Sequence, residues 1–142
     1  MDSQRKESAM KNIVIGYDGS ESADRALERI PTLVDNGTQV HVVAAIHRLA
    51  GKGGMGHDPI EKELHDVDLK HAKARLADAG IQAHLSEGYG DPATVITALA
   101  AEVDADLIVI GNQHKSLIER LLLGSVSSGV THHARCDVLV VR

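Results

Sequence analysis

Two short segments combine glycine with side chains that could hold a phosphate-bearing ligand. Gly16-Tyr17-Asp18-Gly19-Ser20 follows an aliphatic run, and Gly124-Ser125-Val126-Ser127 comes thirteen residues after Gly111. Glycine lets a backbone approach a ligand without a side chain in between. Unpaired N–H groups at the start of a helix, together with serine hydroxyls, attract anions. The pattern therefore suggests a site for a nucleotide or another phosphate compound.

Each segment also has a purely structural interpretation. The first strand is not followed by a GxGxxG fingerprint, and the sequence contains no Walker-type glycine–lysine loop. Serine at a helix start often serves as the cap, and aspartate before glycine is common in turns. On residue type, Ser125 as a cap and Asp18 as a turn former remain alternatives to ligand binding.

Short aliphatic runs alternate with longer amphipathic stretches along the chain. This alternation predicts an α/β fold with a parallel sheet and right-handed crossovers. The predicted strands are 12–18, 39–46, 82–87, 105–111 and 137–142, and the predicted helices start at 20, 59, 91 and 125. Ligands of such sheets bind beyond the carboxyl ends of the strands. We therefore expect functional residues in 16–18, 44–46 and 111–125.

Several local features lead to further predictions. Pro31 should kink or split the first helix, and the glycines of 51–56 predict a mobile loop within 47–59. The third strand is polar and should lie near the sheet edge. The helix over 59–79 should bury one stripe at helical spacing, with His71 packed inside. That stripe consists of Ile60, Leu64, Val67, His71 and Ala74.

Composition limits the class of protein. The 142 residues suit one domain, 12–142, after a flexible tail, 1–11. With no Trp or Phe the core must be aliphatic, and a net charge of −5 argues against a nucleic-acid binder. We find neither a signal peptide nor an apolar run long enough to span a membrane. Since a single cysteine, Cys136, also fits a reducing compartment, we expect a cytoplasmic protein.

Neither the histidines nor the acidic residues form a recognisable reactive set. Nine histidines are scattered, and neither Glu61 with His65 nor the pair His132-His133 has the ligand spacing of a zinc site. No Walker lysine, no carboxylate pair for magnesium and no nucleophile–base pair can be assigned. We therefore expect neither a resident metal nor an enzyme.

Three segments together resemble the universal stress protein family. They are NIVIGYDGSESADRAL, YGDPATVITALAAEVDADLIVIGN and LLLGSVSSGVTHHARCDVLVVR, which occur in the family's order and extend the likeness over about residues 11–142. The resemblance implies a Rossmann-like α/β fold with a five-stranded parallel sheet in the order 3-2-1-4-5. It also implies a homodimer through the last strand, formed here by Val138, Leu139, Val140 and Val141.

The nucleotide-binding branch of this family has a glycine signature, which this chain matches in part. Gly111, Gly124 and Ser125 occupy three signature positions, but His114 replaces the second glycine. A histidine there could block a polyphosphate, or with Lys115 it could donate a hydrogen bond to a phosphate, better when protonated. The resemblance alone leaves both possibilities open. The neutral amide of Gln113, where family members often have a basic residue, also disfavours a triphosphate.

Transferred residue by residue, the family's site predicts a role for each matching position. Asp18 and Ala45 would contact adenine, Gly16 and Tyr17 would line the same end, and Gly111 would approach the ribose. Phosphates would be held by Gln113, Gly124, Ser125, Val126 and Ser127. The expected ligand is ATP, AMP or cyclic AMP, with Mg²⁺ possible beside ATP. The alternative is a stress protein that binds no nucleotide and acts through protein contacts, which His114 favours and Gly124-Ser125 disfavours.

Overall fold

A five-stranded parallel sheet forms the centre of the protein. The computed structural model describes residues 10–51, 54–112 and 125–142. The sheet strands are β1 (Asn12–Gly16), β2 (Gln39–Ile46), β5 (Ala83–Tyr89), β6 (Leu107–Gly111) and β7 (Asp137–Val141), arranged in the order β5-β2-β1-β6-β7. This is the predicted order 3-2-1-4-5, and the polar third strand lies at an edge as expected. Ile13, Val14 and Ile15 have no exposed surface, because both faces of the sheet are covered.

Within the described residues, four helices cover the sheet, two on each face. They are α1 (Glu21–Arg29), α2 (Pro59–Asp78), α3 (Pro92–Glu102) and α4 (Ser125–His133). One core cluster packs α1 and α2 against the sheet, and a second cluster packs α3 and α4 against the opposite face. Pro31 lies in a short 3-10 turn, Ile30–Thr32, so the first helix ends at Arg29 as its proline predicts.

Side-chain caps fix where three helices begin. Ser20 Oγ accepts a hydrogen bond from the Ala23 amide (3.2 Å) at the start of α1. Asp58 and Asp91 cap α2 and α3 in the same way, by accepting from Ile60 N (2.9 Å) and Thr94 N (3.1 Å). A proline follows each of these aspartates, where its fixed φ suits the first helical turn.

The buried face of α2 differs from the predicted one. Leu69, Ala72 and Leu76 face the core, whereas the predicted stripe is exposed. The sequence predicts a packed His71, but its side chain is 51% exposed and lies 3.7 Å from Asp24 Oδ1. Apolar residues occur on two nearly opposite sides of this helix, so its periodicity is compatible with either orientation.

The segment predicted as a loop after β2 contains two short strands. β3 (Arg48–Gly51) pairs antiparallel with β4 (Gly54–His57), with Arg48 opposite His57. A ladder of main-chain hydrogen bonds needs no particular side chains, so a glycine-rich segment can form one.

At the other end of the sheet, Met10 and Lys11 are tied to the domain. Thr38 donates to the Met10 carbonyl (2.7 Å), and the Lys11 amide donates to Asp106 (2.7 Å).

Candidate functional site

A cavity of about 460 Å³ opens at the carboxyl ends of β1, β2 and β6. Its walls come from these strand ends, from α2, and from the first turns of α1, α3 and α4. The sheet order reverses between β1 and β6, which is where α/β sheets bind ligands. The lining residues are Gly16, Tyr17, Asp18, Ser20, Ala23, Val43, Ala45, His47, Glu61, Leu64, His65, Asp68, Pro92, Ile96, Ile110, Gly111 and Val126.

Asp18 serves the turn after β1 and also faces the cavity. Its Oδ1 accepts a hydrogen bond from the Ser20 amide (2.9 Å), which is the turn-forming role that aspartate before glycine predicts. No hydrogen bond to another described residue uses its Oδ2. The two interpretations of Asp18 are therefore compatible, because the carboxylate has two oxygens and the turn occupies one.

Two glycines at the cavity allow residues of other elements to pack directly against the backbone. A Cβ on Gly16 would lie 2.5 Å from Ile96 Cδ1, and one on Gly111 would clash with Ser22 Oγ and come within 2.7 Å of Ala23 N. The missing side chain at Gly111 thus lets the start of α1 pack directly against the end of β6. This packing is sufficient to explain the glycine without a ligand.

The Tyr17 side chain belongs to the core rather than to the open part of the cavity. It is 3% exposed, and its hydroxyl donates a 2.6 Å hydrogen bond to Asp24 Oδ1. Burial, the hydrogen bond to Asp24 and nearby carboxylates raise the pKa of Tyr17 well above its ordinary value. The phenol therefore stays protonated and fixes the orientation of β1's end relative to α1.

Alternating histidines and carboxylates line the α2 side of the cavity. His47 Nδ1 lies 2.8 Å from Glu61 Oε1, and His65 lies between Glu61 (3.5 Å) and Asp68 (3.8 Å). Burial acts to raise the pKa of Glu61, but hydrogen bonds from His47 and the charges of both histidines lower it overall. Glu61 is therefore an anion near neutral pH, and this wall is acidic.

These residues do not form a metal centre in the described part of the chain. Within residues 10–51, 54–112 and 125–142, no three His, Cys, Asp or Glu side chains are placed to hold a metal ion together.

In the same ranges no helix has the length and apolar content needed to cross a bilayer. Cys136 is half-buried, and burial, then the charges of Asp137 and Asp106, raise the pKa of its thiol.

The structure brings many of the predicted site residues to one place. Gly16, Tyr17, Asp18, Ala45, Gly111 and Val126 all line the cavity. Ser125 is the first residue of α4, and Ser127 lies in its first turn, directly after the cavity-lining Val126. Gln113, His114 and Gly124 lie outside the described residues, so their predicted roles remain predictions.

Sequence reasoning missed the wall that α2 contributes. His47, Glu61, His65 and Asp68 face the same cavity as Asp18. In the sequence, Glu61 and His65 are only a pair four residues apart on one helix, and that spacing does not place them at a ligand pocket. A signal was present, because Asp58 and Pro59 mark a helix that starts soon after the end of β2 and must therefore pass the same edge of the sheet.

Fold and cavity together place this chain among the Rossmann-like α/β proteins, and comparison with known proteins identifies the family. The model of the universal stress protein family matches residues 10–142. A relative from Staphylococcus aureus (strain USA300), named as a universal stress protein, is 34% identical over 139 residues, which cover 93% of this chain and 84% of the relative. The chain belongs to the universal stress protein family.

Solved structures of this family include nucleotide complexes. A universal stress protein crystallised in complex with cAMP has a TM-score of 0.74 and 30% identity, over 95% of this chain and 99% of that one. The Archaeoglobus fulgidus universal stress protein in complex with dAMP has a TM-score of 0.69 and 25% identity, over 92% and 97%. Similar proteins thus bind two different adenine nucleotides.

Proposed function

We propose that this protein binds an adenine nucleotide (ATP, AMP or cyclic AMP) in the cavity at the carboxyl ends of β1, β2 and β6. The observation that carries the proposal is the convergence of Gly16, Asp18, Ala45 and Gly111 on one cavity at the reversal point of the sheet. A volume of about 460 Å³ lies in the range of small-molecule sites. The cAMP and dAMP complexes of similar proteins support the same ligand class.

The charges around the cavity favour one orientation of the ligand. Glu61 and Asp68 on α2, together with Asp18 at the end of β1, make this part of the cavity acidic, and an anionic phosphate is repelled there. The first turn of α4 approaches from the other side at Val126, and a helix N-terminus attracts negative charge. We therefore place the base near Asp18 and Ala45 and the phosphates toward Gly111 and α4.

Asp18 is the residue through which base recognition is best tested. Asp18→Asn keeps an oxygen for the Ser20 amide but can replace Oδ2, an acceptor, with an amide donor. We expect this variant to bind AMP at least about tenfold more weakly, roughly 1.4 kcal/mol, because a donor would face the adenine amine. The unfolding temperature without nucleotide should be unchanged, since the turn is retained.

Calorimetric titration with AMP, ATP and cyclic AMP measures this effect. Thermal unfolding provides a second readout, because a ligand at 100 times its Kd adds about 2.7 kcal/mol of apparent stability. Glu102→Gln, an exposed carboxylate change at the end of α3, is the matched control. Wild-type protein that shows neither heat nor thermal shift with any of the three nucleotides would favour the alternative, a stress protein that acts through protein contacts.

The protein is further proposed to act as a regulator rather than as an enzyme. In this proposal the protein binds the nucleotide in the cytoplasm, together with Mg²⁺ if the ligand is ATP. The nucleotide-bound protein would report on the nucleotides present during stress. The absence of a catalytic set in the sequence motivates this view. β7 is an edge strand paired on one side with β6, and we propose that its free edge forms the homodimer that the family resemblance implies.

A further inference from the structure

Helix α2 presents an apolar stripe to solvent. Ile60, Leu64 and Val67 are 69%, 57% and 61% exposed, and they are three of the four large hydrophobic side chains that the described residues leave exposed. His71 and Ala74 extend the same line and are also exposed. We call these five residues the α2 stripe. An exposed apolar row of this kind typically marks a contact with another molecule.

The spacing of the α2 stripe fits a second helix. Its members follow one another at intervals of four, three, four and three residues. This is the repeat with which two helices pack along a shared seam, at a crossing angle of about 20°. A strand or an extended peptide would not match it, because their side chains repeat every two residues.

Two charged residues beside the α2 stripe limit how a second helix can be oriented against it. Glu63 and Lys70 are exposed and lie two turns apart on the same side of the helix. Between described residues, no ion pair within 4.0 Å uses either of them. On the inner side of the helix, by contrast, Lys62 pairs with Asp66 (3.1 Å) and with Glu87 (3.4 Å).

We propose that α2 packs antiparallel against α2 of a second copy of this chain, about a two-fold axis beside Val67. The axis brings Glu63 next to the partner's Lys70, and by symmetry Lys70 next to the partner's Glu63. A parallel arrangement would instead oppose like charges. Val67 then meets the partner's Val67, Leu64 meets the ring of the partner's His71, and Ile60 meets the partner's Ala74.

This contact is separate from the edge-strand dimer of the proposed function. α2 packs on β2 and β5, while β7 lies at the opposite edge of the sheet. Both contacts can therefore form at once and would join dimers into larger assemblies. The α2 stripe is only five residues, so the area that it can bury is small compared with the roughly 800 Å² per partner of a standard interface. We therefore expect weak, concentration-dependent association. Leu64 also lines the cavity, so the second copy would stand beside its mouth.

Disulfide trapping tests the geometry directly. In a Cys136→Ser background, Val67→Cys places two thiols at the two-fold axis, whereas Ile60→Cys places them about 20 Å apart, since 14 residues of helix separate the matching positions. We expect the Val67→Cys chain to cross-link at least about tenfold faster than the Ile60→Cys chain, given the geometric limits on disulfides. Mixing Ile60→Cys with Ala74→Cys chains should give cross-linked heterodimers.

Charge reversal tests the antiparallel pairing. Added to the Val67→Cys chain at low salt, Glu63→Lys should slow cross-linking several-fold, and Glu63→Lys with Lys70→Glu should restore it. Circular dichroism checks that each variant keeps its helices. The proposal is overturned if Val67→Cys does not cross-link, if Ile60→Cys cross-links equally fast, or if Glu63→Lys has no effect. Because trapping reports on position 67, the result does not depend on nucleotide binding or on the β7 edge.

Discussion

At Gly111 a single methyl group would collide with backbone. The Cβ of an alanine would lie within 2.7 Å of the Ala23 nitrogen and of the Ser22 carbonyl carbon, and neither atom can move without shifting α1. We expect Gly111→Ala to lower the free energy of unfolding by about 1–3 kcal/mol, the range found for overpacked cores. Urea unfolding followed by circular dichroism measures the change.

A second glycine provides the control for this substitution. A Cβ on Gly56 would meet nothing within 4 Å. We expect Gly56→Ala to change the free energy of unfolding by less than about 0.5 kcal/mol, as is usual for surface substitutions. If Gly111→Ala were equally mild, close packing of α1 would not explain the glycine, and a role in ligand approach would become the better account.

Individual elements adopt the structure that their own residues encode, but their partners decide which face they bury. α2 carries Leu69, Ala72 and Leu76 on one side and the α2 stripe on the other. Both rows have helical spacing, so the sequence of the helix is nearly neutral between them. The sheet selects the first row, which packs into the core cluster against it, and this rotation of α2 turns Glu61, His65 and Asp68 toward the cavity.

The edge strand β7 has its own testable geometry. The Val141 carbonyl accepts from the Asn112 amide on the β6 side (2.9 Å). Since alternate residues of a strand direct their backbone groups to opposite sides, Val138 and Val140 present theirs to the open edge. We expect Val140→Pro to remove the outward N–H and convert a dimer to a 15.1 kDa monomer without unfolding it.

Light scattering after size exclusion measures the mass of this variant. Leu139→Pro is the matched control, because its N–H faces β6 and its loss should lower the unfolding temperature. The measurement is made at low protein concentration, where the weak α2 contact dissociates. A dimer that survives Val140→Pro under these conditions would mean that backbone pairing through β7 does not hold the two chains together.

At the scale of the whole molecule, a histidine pair links stability to pH. His41 and His84 are opposite each other on β2 and β5, with their rings stacked 5.1 Å apart. Burial and the charge of His84 lower the pKa of His41 below its ordinary value of 6.5. The unfolded chain therefore binds more protons here than the folded one. This contribution to stability is complete above pH 6.5 and is lost as the pH falls toward the folded-state pKa.

His84→Gln should weaken this pH dependence. The substitution removes the opposing charge, while an amide can still hydrogen-bond Gln39, which now lies 2.9 Å from His84 Nε2. We expect the loss of unfolding free energy between pH 7 and pH 5 to be smaller in the variant than in the wild type. Urea titrations at both pH values measure the loss, and His132→Gln controls for removing a histidine elsewhere. Parallel pH profiles for wild type and His84→Gln would contradict the proposed coupling.

Local sequence was sufficient for the five strands of the parallel sheet, the helix starts and the general location of the cavity, but not for the short strands β3 and β4. Aliphatic runs such as 107–110 must be buried, and Asp91 followed by Pro92 favours the start of a helix. Parallel strands bring Asp18, Ala45 and Gly111 to one edge of the sheet. The strands and helix starts depend on residues close together in the chain, and the shared edge follows from the parallel arrangement of the strands. The family resemblance added the strand order.

The tertiary structure determined the features that depend on contacts between residues far apart in the sequence. It chose the buried side of α2, left His71 exposed, and joined His47, Glu61, His65 and Asp68 to the site. It also gave Gly111 a packing role, because the atoms that a side chain would strike belong to α1, some 90 residues earlier. Periodicity describes one element at a time, whereas burial and cavity walls depend on which surfaces of separate elements meet.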